Sequence, residues 1–407
     1  MSEAVMTNDA MPTSGDNKPN FLGWKSGAGL LGLLAGLGVW AALFFGGDQT
    51  ALGGYMFGYI FWVVVTMGCL ALTFLHGSIN CSWTIATLRI FEAGCHPYMF
   101  GALAFFYLPI WKHMDKIYIW VNPGDDKVLQ MKSAYLNEPR VVATFFGIMA
   151  LMAFGSWVMQ SSSRRQDKSM ADKERQLRTN FGTPSLVVMA LAATVFLTDL
   201  AMSLTPHWYS TIYPLWLVIG GCQTALCIAI ALVCSNAKKE PYASSMSPSL
   251  TKDLGNMMFV LTMLWAYTSV SQLIILWNGN IPETAIFYAH RGSDTRLGWN
   301  FLGASTILGC FIIPFSVLLS TRLKRYADRI RNVALFILIF RVIDVYWIIA
   351  ASVPHRGTFE AKPTLWDVLG FLALGLVWFG VMLNRVATAP LLPQYDPRLK
   401  EAKANAH

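Results

Sequence analysis

Two groups of ionisable residues lie in stretches of this chain that are otherwise apolar. Arg341 and Asp344 occupy the middle of the run from Asn332 to Val353, which is long enough to cross a bilayer. Arg89, Glu92 and His96 occupy another run, at i, i+3 and i+7. On a continuous helix that spacing gives one polar face, reaching about 10 Å along the axis. Charges at such depth are costly, so they face a bundle interior and mark a pathway or a site.

The chemistry these residue types suit is proton exchange. Glu92, His96, Asp199 and Asp344 change protonation state, whereas Arg89 and Arg341 stay charged and tune their neighbours. His76 ends the preceding apolar run close to where the Arg89 stripe begins, and Asp199 stands near the far surface. These residues are expected to form two partial polar routes meeting within one bundle. Gln272 and Asn278, with Arg341 and Asp344, make a second set in the other half. The competing reading is structural: each Arg–carboxylate pair neutralises itself and locks helix packing, since a broken buried pair is strongly destabilising.

The elements that must position these residues are membrane helices. The chain has 407 residues, mean hydropathy +0.45, 55% hydrophobic and 13% charged residues, which defines a polytopic α-helical membrane protein. Apolar runs predict ten spans, near 27–46, 53–76, 84–110, 140–160, 185–204, 213–234, 254–277, 298–320, 332–353 and 366–385. Ten spans put both termini on one side. Lys and Arg concentrate there, in 161–184, 235–253, 321–331 and the tails, so the positive-inside rule makes both termini cytoplasmic. Residues 1–26 are expected to be a disordered cytoplasmic tail, 27–385 the membrane domain, and 386–407 a second cytoplasmic tail.

The basic stretch from Ser161 to Thr179 reads as a solvated topology determinant facing anionic lipid; the lipid bilayer, not nucleic acid, is its partner. The outer segments 111–139, 205–212, 278–297 and 354–365 are mostly rich in aromatic and polar residues, and read as contact surfaces or interfacial anchors. None of the seven cysteines forms a CxxC or CxxCH motif. His76 and His96 differ in height by roughly 20 Å by helical rise, so they do not clasp one haem. No cofactor is expected on this chain alone.

Three segments carry a resemblance: Leu197 to Leu215, Lys132 to Val141, and above all Leu264 to Gly292 with its SQLIILWNGNIPE core. They resemble the polysulfide-reductase, NrfD-like membrane subunits, and more closely the F subunits of alternative complex III, the bacterial quinol:cytochrome c oxidoreductase. The resemblance implies an all-α fold of ten transmembrane helices, with two four-helix bundles (about 53–204 and 213–353) and one flanking helix on each side. It implies a bacterial inner membrane and several partners: a paralogous NrfD-like subunit, a periplasmic iron–sulfur subunit, multihaem and monohaem cytochromes c, small membrane subunits and a terminal oxidase. Iron–sulfur clusters and c-type haems would belong to those partners, and this chain would support assembly and carry protons through half-channels. A quinol, if this chain held one, is expected near Tyr135, Asp199, His207 and Trp208. An independent secondary transporter, with Pro97 and Pro314 breaking helices around its site, and a purely structural scaffold fit the same charges.

Overall fold

The computed structural model describes residues 19–79, 81, 83–292, 297–353 and 363–396. Every element among them is helical. The principal helices are α1 (Lys25–Gly46), α2 (Gln49–Ser78), α3 (Thr84–Gly94), α4 (Pro97–Phe106), α5 (Glu138–Ser169), α6 (Asp172–Leu200) and α7 (Ile212–Ser235). They continue as α8 (Pro248–Gly279), α9 (Pro282–Gly292), α10 (Leu297–Ile307), α11 (Ile313–Leu318), α12 (Ala327–Ala350) and α13 (Leu365–Val386). Nine helices among the described residues are long and apolar enough to cross a membrane, which makes the chain a multi-pass membrane protein.

Short polar residues start these helices by accepting otherwise orphaned backbone N–H groups. The Asp48 carboxylate accepts from Ala51 N at 2.8 Å, Asn137 from Arg140 N at 3.0 Å and Ser247 from Leu250 N at 3.1 Å. Thr364 and Asp367 close a reciprocal capping box on α13. The Gly-Asn-Ile-Pro sequence has an equally local reading. Asn280 ends α8 in the left-handed region at φ 43°, and Pro282 opens α9 two residues later.

The expected third span is not one helix. It is divided into α3, α4 and a five-residue turn, Leu108–Lys112, with the break at Cys95 and His96. Pro97 disfavours helical geometry at the residue before it, and His96 accordingly takes φ −59° and ψ 146°. A second interruption lies between α10 and α11, where Leu308–Ile312 form a π-helical turn just before Pro314. That wider turn accommodates the proline within the apolar segment.

Helix α2 is buried along most of its length and runs through the centre, touching α6, α7, α12 and α13. Its crossing with α7 is set by glycines: a Cβ on Gly68 would come within 2.3 Å of the Gly221 backbone, and a Cβ on Gly221 within 2.2 Å of Val64 O. Close small-residue contacts of this kind are how helices associate in lipid, where apolar burial alone gives little drive. The first and last spans do not flank the molecule on opposite sides. α1 lies directly against α13, so tightly that a Cβ on Gly32 would stand 2.4 Å from Leu376 O.

The chain outside the spans is also more structured than its polarity implies. From Pro19 on, the expected N-terminal tail is anchored: Asn20 N donates to Asn236 Oδ1 at 2.7 Å, and Phe21 is buried against Tyr242. Residues 1–18 and 397–407, the outer parts of the two expected tails, lie outside the described residues. The aromatics of the segments expected outside divide: Trp111, Tyr135 and Tyr209 are exposed, and others pack inward. Tyr118, Trp120 and Trp208 are buried, and Tyr118 donates to Leu200 O at 2.8 Å.

Candidate functional site

The helix break creates the most elaborate polar site. Arg89 and Glu92, one turn apart on α3, form a buried ion pair with Nη1 2.6 Å from Oε2. The same Nη1 donates to Ser163 Oγ at 2.9 Å, and Nη2 pairs with the Asp167 carboxylate at the end of α5. One guanidinium therefore lies between two carboxylates from different helices. Close carboxylates that share one counter-charge resist simultaneous ionisation, which makes such a cluster suited to holding a proton.

Asp167 belongs to the basic stretch that reads as solvated, and here the structure corrects the sequence. α5 continues through it to Ser169, and one face of the α5–α6 hairpin is buried. Arg165 clasps Glu174 across the hairpin through Nε and Nη2 at 3.1 and 3.0 Å. Arg178 donates to Ser162 Oγ at 3.3 Å and to Gln166. The segment after α13 covers this assembly: Gln394 N donates to Asp167 Oδ1 at 3.1 Å, and the Tyr395 ring lies 4.6 Å from the Arg178 guanidinium. The Tyr395 hydroxyl is 3.4 Å from Ser163 Oγ, and burial pushes this phenol up.

A line of polar groups runs from the cluster into the span. Gln160 Nε2 donates to Glu92 O and to Ser156 Oγ, both at 2.7 Å. Ser156 donates in turn to Cys95 O, and the Cys95 thiol lies 3.6 Å from Thr73 Oγ1. These bonds satisfy carbonyls that the break at His96 removes from the helical ladder. From Asp167 to Ser156 the line covers about 16 Å along α5.

His96 is not part of that line. It sits at the break as the N-cap of α4, its Nδ1 accepting from Tyr98 N at 3.2 Å. The expected single stripe of Arg89, Glu92 and His96 is therefore corrected, because the helix carrying the spacing stops before His96. His76 is buried with Nδ1 2.7 Å from Thr84 Oγ1, holding the end of α2 to the start of α3.

At the opposite end of the same helices, Asp199 pairs with Arg140 at 2.6 Å, and the Arg140 guanidinium lies 3.7 Å over the Tyr135 ring. Burial beside Asp199 pushes the Tyr135 phenol up. Asp199 stands about 30 Å along α6 from Arg178. Buried side chains in between include Phe145, Met149, Met152, Ala193 and Phe196, so the two polar ends do not meet through side chains. Of the other two residues expected beside Asp199, His207 pairs with Asp126 at 3.0 Å, and Trp208 stacks on Phe287 with ring centroids 4.4 Å apart. The structure brings Tyr135 and Asp199 together and sends Trp208 into a separate aromatic cluster.

The second buried group is simpler. Arg341 and Asp344 pair one turn apart on α12, both wholly buried. Arg341 Nε is 3.4 Å from Thr224 Oγ1, and its guanidinium lies 5.7 Å from the Trp265 ring. Gly220 leaves the room: a Cβ there would fall 1.9 Å from Arg341 Nη2. Gln272 does not join this pair but accepts from Ser210 Oγ in the segment between α6 and α7, and Asn278 is exposed near the end of α8. Among the described residues no group of three or more His, Cys, Asp or Glu side chains is placed to hold a metal ion. No protein-family model and no curated protein matches this chain.

Proposed function

We propose that this chain is an integral subunit of a quinol-oxidising respiratory complex of the alternative complex III type, serving assembly and carrying protons part of the way across a bacterial inner membrane. The observation that carries the proton reading is Arg89 held between Glu92 and Asp167, with Gln160 and Ser156 continuing inward from the Glu92 backbone carbonyl. The complex is proposed from the segments Leu197–Leu215, Lys132–Val141 and Leu264–Gly292. Counting the broken segment α3–α4 as a crossing gives ten spans with both termini cytoplasmic. The contacts of α2 with α3 and α6, and of α7 with α8 and α12, suit two four-helix groups joined at the α2–α7 crossing. Iron–sulfur clusters, c-type haems and the bulk of quinol chemistry belong to partner subunits in this reading.

Purification in mild detergent through a tag on this chain tests it. Cytochromes c and inhibitor-sensitive quinol oxidation are expected to travel with the chain. A colourless, monodisperse protein, with dissociation excluded by cross-linking before extraction, would refute membership of such a complex. It would support a second reading, an independent transporter, which the interruptions at His96 and Leu308–Ile312 favour because transporter sites gather at broken helices.

A further inference from the structure

The segment that follows α13 lies over the Arg89–Glu92–Asp167 cluster without belonging to any helix. Its backbone bonds are local turns: Thr388 N to Arg385 O at 3.2 Å, Ala389 N to Val386 O at 3.4 Å and Asp396 N to Pro393 O at 3.3 Å. Segments held in this way open locally at low cost, while the helices beneath them stay folded. Asp167 shows what this one does. Its side chain is only 8% exposed, although Arg165, Lys168 and Ser169 beside it on α5 are exposed.

The tip of the segment, Gln394 and Tyr395, makes the difference. Gln394 N donates to Asp167 Oδ1, and Tyr395 sets its ring against Arg178 and its hydroxyl 3.4 Å from Ser163 Oγ. Ser163 is itself a partner of Arg89, so the tip touches the cluster at two of its members. Gln394 is exposed, which leaves the tip alone between Asp167 and the surface. The root differs in kind: Leu391 and Leu392 are buried, at 8% and 5% exposure. Pro390 and Pro393 bracket them and stiffen the chain, so that a released tip gives up little further freedom when it returns. An apolar root thus carries a tip whose contacts with the cluster are polar and exchangeable for water.

We propose that residues 387–396 form a gate, in which Gln394 and Tyr395 seal the Arg89–Glu92–Asp167 cluster from the surface and swing away on the Leu391–Leu392 root to admit water. The gate deepens the proton reading of this cluster and rests on it for its purpose. A site that takes a proton from water at one moment and holds it at the next needs intermittent contact with water, since constant contact lets the proton leak back.

The test uses the full-length protein in detergent and takes two readings. Amide exchange followed by mass spectrometry reports opening of Gln394 and Tyr395, with α2 and α7 as the reference for global unfolding. Ser163→Cys, a near-isosteric change beneath the tip, reports water at the cluster through labelling by a charged methanethiosulfonate, over a wild-type background in which every cysteine except Cys81 is buried. The tip amides of wild type are expected to exchange at least roughly tenfold faster than those of α2 and α7. Tyr395→Ala should raise tip exchange and Ser163→Cys labelling together, by roughly two- to fivefold, because the ring contact with Arg178 is lost. Tyr395→Phe keeps the ring and should leave both rates near their starting values. Tip amides as protected as those of α7, or labelling indifferent to Tyr395→Ala, would overturn the gate; if Ser163→Cys does not fold, the exchange reading decides alone. Both readings register water and not proton carriage, so failure of the gate leaves the titration of Glu92 and Asp167 to its own measurement, and failure of the proton reading leaves these two rates as they are.

Discussion

The two buried charge groups start from the same local device, an arginine followed three residues later by a carboxylate on one helix, and end in different states. Arg341 and Asp344 balance each other inside a sealed setting of Thr224, Trp265 and the Gly220 backbone. Arg89 serves Glu92 and also Asp167 from another helix, with Ser163 and Tyr395 close by and a polar line leading inward. The first arrangement is electrically closed, and a change in protonation of Asp344 leaves Arg341 uncompensated. The second holds one carboxylate more than it has guanidiniums in direct contact, so a proton can be gained without isolating Arg89. Identical spacing in sequence thus ends in a closed pair in one half and in a cluster shared between helices in the other, and it is the second that the proposed function assigns to proton exchange.

The sharpest way to break this contrast is Asp344→Asn. Leaving Arg341 buried without its partner is expected to cost about 3–5 kcal/mol, seen as a large drop in the thermal midpoint in detergent. The apolar double variant Arg341→Met/Asp344→Leu should recover most of that loss. Next in size is Gly220→Val, whose side chain occupies the place of Arg341 Nη2; overpacking of this sort costs about 1–3 kcal/mol by the same measurement. Glu92→Gln should cost less, about 0.5–1.5 kcal/mol, because Asp167 still balances Arg89. Smallest is Tyr395→Ala, which removes the ring from Arg178 and should lower stability by about 0.5–1 kcal/mol. Its local signature is faster amide exchange at Gln394, whose N–H is held by Asp167. If Glu92→Gln proved as damaging as Asp344→Asn, the two groups would be alike and the contrast would collapse.

Much of this was legible in the chain itself. Ten apolar runs predict the spans, nine of them long apolar helices among the described residues, and the charges at 89, 92, 199, 341 and 344 stand out against those runs. The partners did not. Asp167 is hidden because it lies in a run of Arg, Gln, Asp and Lys that composition assigns to solvent. A weak signal exists in retrospect: Ser163 and Asp167 are four residues apart, on one face of a helix that has only to continue past the membrane. The break at His96 carried a clearer sign in Pro97, yet the apolar residues on both sides of it read as one uninterrupted helix. Arg140 as the partner of Asp199, at a separation of 59 residues, depends on how α5 and α6 pair, which no local pattern records.

The most direct test of the account is an infrared titration of the protein in membranes, following the protonated-carboxyl stretch in wild type, Glu92→Gln, Asp167→Asn and Asp344→Asn. The account predicts a titrating band that is lost or shifted in Glu92→Gln and Asp167→Asn and unchanged in folded Asp344→Asn, the protein being kept below its lowered midpoint. A band that vanishes only in Asp344→Asn, or no titrating carboxyl at all, would contradict it.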